Sequence, residues 1–132
     1  MRKNEKDLLL QDICARLPYG VVVGTTDNDG TIPNFWSLDM YNRLTDDVRL
    51  TNCEIDADRL TDVCDVRPYL FPLSSMTKEQ KHEYNELVDG MFGTNVLINF
   101  GLLGDFFYRN HLDCNGLIPA GLAKDATGKY IY

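Results

Sequence analysis

Three local patterns in a fixed order predict an α+β domain: a helical apolar stripe near the start, alternating short strands with turn residues through the middle, and two further helical patterns after a proline pair. The expected architecture is an N-terminal helix on a small, bent antiparallel sheet, for which an SH3-like partial barrel is one available form, with two main helices packed on it. At 132 residues, with 44% hydrophobic and 25% charged residues, the chain has the length and composition of one globular domain that buries roughly two-thirds of its unfolded surface.

The first helix is expected over 4–17, with Asn4 as its cap and Asp7 in its first turn; Leu10, Ile13, Cys14 and Leu17 supply an apolar stripe. Pro18 and Gly20 then turn the chain into Val21-Val22-Val23, whose β-branching favours a strand. Asp27-Asn28-Asp29-Gly30 reads as a turn between strands. Trp36, Leu38 and Met40 alternate with polar residues, as do Val48 and Leu50. Cys53 and Ile55 shift the phase, which calls for a bulge, a bend or a new strand between Leu50 and Cys53. Residues 20–67 thus hold three to five short strands.

Pro68 and Pro72 predict an extended linker over 68–76 that interrupts central sheet pairing. Thr77-Lys78-Glu79-Gln80 is a capping box opening a helix with Tyr84, Leu87, Val88 and Met91 on its buried face, and Gly90 near its end. Residues 94–100 fit strand or buried helix equally. Leu103, Phe106, Phe107 and Asn110 follow helical spacing within a helical region spanning 77–123, and 124–132 form a short tail.

Charge is local. Residues 27–65 hold ten acids (Asp27, Asp29, Asp39, Asp46, Asp47, Glu54, Asp56, Asp58, Asp62, Asp65) against Arg43, Arg49 and Arg59, a balance of −7 that equals the net charge of the whole chain. A pI near 4.6 and scattered bases argue against direct nucleic-acid binding, which needs clustered Lys and Arg. No apolar run reaches the roughly 20 residues a membrane span requires, so a cytoplasmic protein without membrane contact is expected. Cys14, Cys53, Cys64 and Cys114 fit neither a redox pair nor a zinc spacing, and four free thiols, mostly buried, are expected over two disulfides.

Catalytic and metal motifs are weak. In Asp27-x-Asp29-Gly30 a calcium-loop count places Trp36 where a bidentate glutamate is required, and the two glycines at Gly101 and Gly104 lack the lysine and spacing of a phosphate loop. No cofactor or metal is therefore expected. His111 with Asp113 or Cys114 could form a nucleophile-base cluster, and a pocket there could include Tyr69 and Tyr108, although a helix-end role for His111 accounts for the same residues. His82 falls on a polar helix face. Tyr69, Phe71, Phe106, Phe107, Tyr108 and Trp36 suit core packing better than an open groove.

Asp12-Ile13-Cys14-Ala15-Arg16-Leu17-Pro18-Tyr19-Gly20-Val21, Arg67-Pro68-Tyr69-Leu70 with Ser74-Ser75-Met76-Thr77, and Asn110-His111-Leu112-Asp113 with Gly116-Leu117-Ile118 and Gly121-Leu122-Ala123 carry a resemblance. In that order the blocks resemble a group of short uncharacterised proteins from gut anaerobic bacteria, frequent in their phages and mobile elements. The resemblance implies a single α+β domain and no activity, since the group carries no assigned ligand or catalytic residue. This chain departs from the group at Leu112, Cys114, Asn115 and Gly101–Gly104.

The functional expectation is a non-enzymatic accessory protein of phage or mobile-element type. It would bind an unidentified protein, one with a basic surface, through Asp46, Asp47, Asp56, Asp58 and Asp62. The alternative is a small enzyme or ligand-binding protein using the His111 region.

Overall fold

The computed structural model describes residues 1–27, 34–91 and 96–132. It is an α+β fold with an N-terminal helix, a curled six-strand half-barrel sheet and two further helices. The elements are α1 (Lys3–Arg16), β1 (Val21–Thr25), β2 (Trp36–Asn42), β3 (Asp47–Asn52), β4 (Ala57–Asp62), β5 (Val66–Leu70), α2 (Lys78–Gly90), α3 (Val96–Arg109) and β6 (Lys124–Asp125). Strand order is β4-β3-β2-β1-β5-β6, antiparallel except for the β5–β6 pair.

The inward face of the first helix is shifted from the one expected: Ile13 is core, and Leu10 and Leu17 pack against the core only partly buried. Leu9, Asp12, Ile13 and Arg16 are buried, whereas Cys14 is exposed; the stripe is rotated by one residue from Leu10, Ile13, Cys14 and Leu17. Asn4 does not cap the helix. Arg2, in extended backbone, is the cap position and makes no side-chain cap bond; its Nε reaches forward to Glu5 at 2.8 Å.

Leu9 and Ile13 close over Val21, Val23, Trp36, Leu38, Val48, Leu50, Val66 and Leu70 on the inner face of the sheet, with Val63, Leu117 and Leu122 completing the core. The strand alternation holds through Trp36 and Leu38 and then breaks. A register shift between Leu38 and Met40 leaves Met40 exposed opposite Arg49 and turns Tyr41 inward opposite Val48, the work of a β-bulge. The bulge thus lies in β2, not between Leu50 and Cys53. There, β3 runs on to Asn52 and a hairpin turn leads into β4, with the Asn52 carboxamide accepting from the Glu54 N–H at 3.0 Å. Asn28, Asp29 and Gly30 of the expected first turn lie outside the described residues; β1 and β2 pair antiparallel.

The expected linker over 68–76 is corrected at its start, because Val66–Leu70 is an internal strand between β1 and β6. Pro68 is tolerated for a geometric reason. Thr26 donates to Asp65 C=O at 2.9 Å, which makes 26/65 a hydrogen-bonded pair. Alternation then makes Val23/Pro68 a non-bonded pair whose missing N–H points away from β1. On that other side β6 pairs only from Tyr69 onward.

The rung after Pro68 is mended by a side chain from the segment expected to be a plain tail. In the β1–β5 register Val22 stands opposite Tyr69, and the Tyr132 hydroxyl enters between them. It accepts from the Val22 N–H at 3.1 Å and donates to the Tyr69 C=O at 2.7 Å. Tyr132→Phe removes this bridge and is expected to destabilise the fold by about 1–2 kcal/mol, toward the lower end because water can reach part of the site. Urea denaturation checks the loss, and faster hydrogen exchange at the Val22 amide would localise it; an unchanged amide would refute the bridge.

The capping box of α2 is present, with Thr77 Oγ1 accepting from the Gln80 N–H at 3.1 Å and Gln80 Oε1 from the Thr77 N–H at 2.9 Å. Val96–Phe100 is helical, in α3; Thr94 and Asn95 lie outside the described residues. The α2–α3 pair joins through Tyr84, Phe106 and Phe107, whose ring centroids stand 5.6–6.4 Å apart. A Cβ on Gly90 would sit 2.6 Å from the Asn99 side chain, so glycine is what permits this close crossing. All four cysteines are free, but the expectation that most are buried is corrected: Cys14 and Cys53 are exposed, Cys64 and Cys114 half-buried. None of the described helices is long and apolar enough to cross a membrane.

Candidate functional site

Two regions hold the residues singled out by sequence. The first is the β2–β4 end of the sheet. Asp46 and Asp56 end the β2–β3 and β3–β4 turns with φ of 56° and 49°, a left-handed backbone that aspartate tolerates better than most residues. Asp46 also accepts from Lys6 at 2.5 Å and from the Tyr41 hydroxyl at 2.6 Å. Those bonds hold its carboxyl below the usual range, and the carboxylate pushes the Tyr41 phenol up to about 12. Turn geometry and anchorage of α1 therefore account for these two acids.

Asp47, Asp58 and Asp62 differ. They alternate with the inward Val48, Ala57, Arg59 and Thr61, so they project from the outer face of β3 and β4. Asp58 meets Arg49 at 3.2 Å in an exposed ion pair. Asp62 accepts from the Cys64 N–H at 2.8 Å. Asp47 stands directly opposite Asp62 in the β3–β4 ladder, and like charges so placed repel. Neither takes part in an ion pair among the described residues. Arg59 instead lies on the inner side, 5.9 Å from the Trp36 ring and 2.8 Å from Asp27.

The second region surrounds a buried ion pair that sequence reasoning missed. Asp12 and Arg16, one turn apart on α1, have fully buried side chains and meet at 2.7 and 3.0 Å. Arg16 Nη2 also donates to the Leu112 C=O at 2.7 Å, and Asn115 donates to Asp12 at 2.9 Å. The Tyr108 ring faces the guanidinium at 5.0 Å. The signal available in sequence was that Asp12 and Arg16 share one helix face with Leu9 and Ile13.

His111 lies beside this pair with φ of 56° and its ring stacked on Tyr132, centroids 3.5 Å apart. Burial, aided by the Arg16 charge, lowers its pKa to about 4, so its imidazole is neutral near pH 7. Asp113 does not pair with it: its two oxygens accept from the Leu117 and Ile118 N–H groups at 2.7 and 3.0 Å. The Cys114 thiol is pushed up by burial, which disfavours the nucleophilic thiolate. Tyr69 is buried on the outer side of β5 against Phe35, its centroid 5.1 Å away. His111 and Tyr108 thus flank Arg16, Asp113 braces the following turn, and Tyr69 contributes its carbonyl to the Tyr132 bridge.

A shallow groove of about 550 Å³ lies next to this region, walled by Pro72, Leu73, Ile118 and Pro119 with Cys114 at its side. Its lining is mostly apolar, and the one carboxylate among its described lining residues, Asp113, is already engaged. His82 is exposed and paired with Glu86 at 3.1 Å. Among the described residues no group of three or more His, Cys, Asp or Glu side chains is placed to hold a metal ion. No family model, curated protein or solved structure matches the chain.

Proposed function

We propose that this chain is a non-enzymatic accessory protein, of the kind phages and mobile elements carry, that works in the cytoplasm by binding a basic-surfaced protein through the outer face of β2–β4. The observation that carries the reading is the alignment of Asp47, Asp58 and Asp62 on one outward face, joined by the exposed Asp39 of β2. Arg49 is the single base on these strands that shares that face. Such a face attracts a positive partner and speeds their encounter. The His111 region supports the alternative less well, because its carboxylate is committed to backbone and its imidazole and thiol are held neutral by burial.

Reversing Asp39, Asp47, Asp58 and Asp62 to lysine leaves the turn acids Asp46 and Asp56 intact and removes the outward charge; because Asp62 also accepts from the Cys64 N–H, a urea midpoint for the variant confirms that the fold persists. Basic proteins captured from a host extract at low salt should be lost by the variant, and salt should release them from the wild type. Capture of the same proteins by both forms would discard the reading.

A further inference from the structure

The partner's chemistry is legible in the backbone of β4. Val63 donates to the Asp46 C=O at 3.0 Å, so 46/63 is a hydrogen-bonded pair of the β3–β4 ladder. Alternation makes 48/61, 50/59 and 52/57 the other bonded pairs. The N–H and C=O groups of Asp58, Leu60 and Asp62 therefore point away from β3. β4 is the last strand of the sheet on that side among the described residues. The same three residues send their side chains to the outer face, where Leu60 is 66% exposed between the two carboxylates.

We propose that β4 is a docking edge for an extended peptide with the pattern basic–x–apolar–x–basic, added as a seventh, antiparallel strand. This rests on the acidic-face reading and specifies its partner. In an added antiparallel strand the residues bonded to Asp58, Leu60 and Asp62 lie directly opposite them and on the same face. The two bases then face the two carboxylates and the apolar residue covers Leu60. The base opposite Asp62 also relieves the repulsion between Asp62 and Asp47. Backbone bonds supply affinity and the alternate side chains supply selectivity. A second copy of this chain is the poorer occupant. Antiparallel self-pairing centred on Leu60 sets Asp58 of one copy against Asp62 of the other, twice, a repulsion that keeps an open edge from pairing with itself.

The test uses the capped heptapeptide Thr-Lys-Thr-Leu-Thr-Lys-Thr, fluorescently labelled, and the whole chain at low salt. Backbone N-methylation of the leucine blocks an N–H that must reach Leu60 and should weaken binding by about tenfold or more. N-methylation of either threonine beside that leucine, whose N–H points outward, should change it less than about threefold on the same grounds. Exchange protection should rise at the Asp58 and Leu60 amides.

Asp58→Lys with Asp62→Lys should also abolish peptide binding. If that double variant abolishes binding while all methylated peptides bind alike, strand addition is overturned and the acidic-face reading stands. Peptide binding indifferent to the double variant, or no binding at all, overturns the proposal; capture by the four-site charge reversal then decides the acidic-face reading separately.

Discussion

Arg16→Ala is expected to destabilise the fold by about 3–5 kcal/mol, enough to unfold a domain of ordinary stability. The substitution removes the partner of Asp12, whose carboxylate is fully buried and retains only the Asn115 amide. It also removes the stronger of two bonds to the Leu112 carbonyl, which keeps only the Cys114 N–H at 3.0 Å, and opens a gap against the Tyr108 ring. The loss measures the stranded charge more than the worth of the pair, because desolvating two ions consumes most of their attraction. The double variant Asp12→Leu with Arg16→Met should therefore recover most of the stability. Urea midpoints for the wild type and the double variant decide the matter even if Arg16→Ala alone does not fold. A double variant as damaged as the single one would mean that the Leu112 and Asn115 bonds, and not the charge pairing, hold α1 in place.

This pair also shows where sequence reasoning reached its limit. The order helix, strands, helices was legible because hydrophobic period and turn residues are local properties, and the Thr77–Gln80 box needs only four adjacent residues. The inward face of α1 was not, because it depends on Leu112 and Asn115 about a hundred positions away, which convert two charged residues into core. Pro68 misled for a related reason. Proline excludes one ladder bond, but only the register shows that the excluded bond was not needed. Tyr132 could not be placed at all from its neighbours, since its hydroxyl serves strands more than sixty residues upstream. The acidic segment was visible in composition, yet its division into turn acids and edge acids needed the hydrogen-bond alternation of β3 and β4.

Acidification should loosen the same junction from the other side. Unfolded, His111 takes up a proton near its ordinary value of about 6.5; folded, it does so only near 4, because burial and then the Arg16 guanidinium oppose a second positive charge. Well above pH 6.5 neither state carries the proton and stability is full. As pH falls from 6.5 to 4 the unfolded state gains a proton that the native state refuses, and at most about 3 kcal/mol is lost. His111→Asn, which keeps a residue suited to the left-handed backbone, should lack this decline. The exposed carboxylates that titrate in the same range are common to both proteins and cancel in the difference between their stability curves. The groups facing the imidazole are the Arg16 guanidinium and the Tyr132 ring, so protonation should first separate His111 from Tyr132 and withdraw the hydroxyl that joins β1 to β5. The Val22 amide should exchange faster at pH 5 than global unfolding allows in the wild type. Parallel stability curves for the two proteins between pH 6.5 and 4 would show that His111 is not held neutral by the fold.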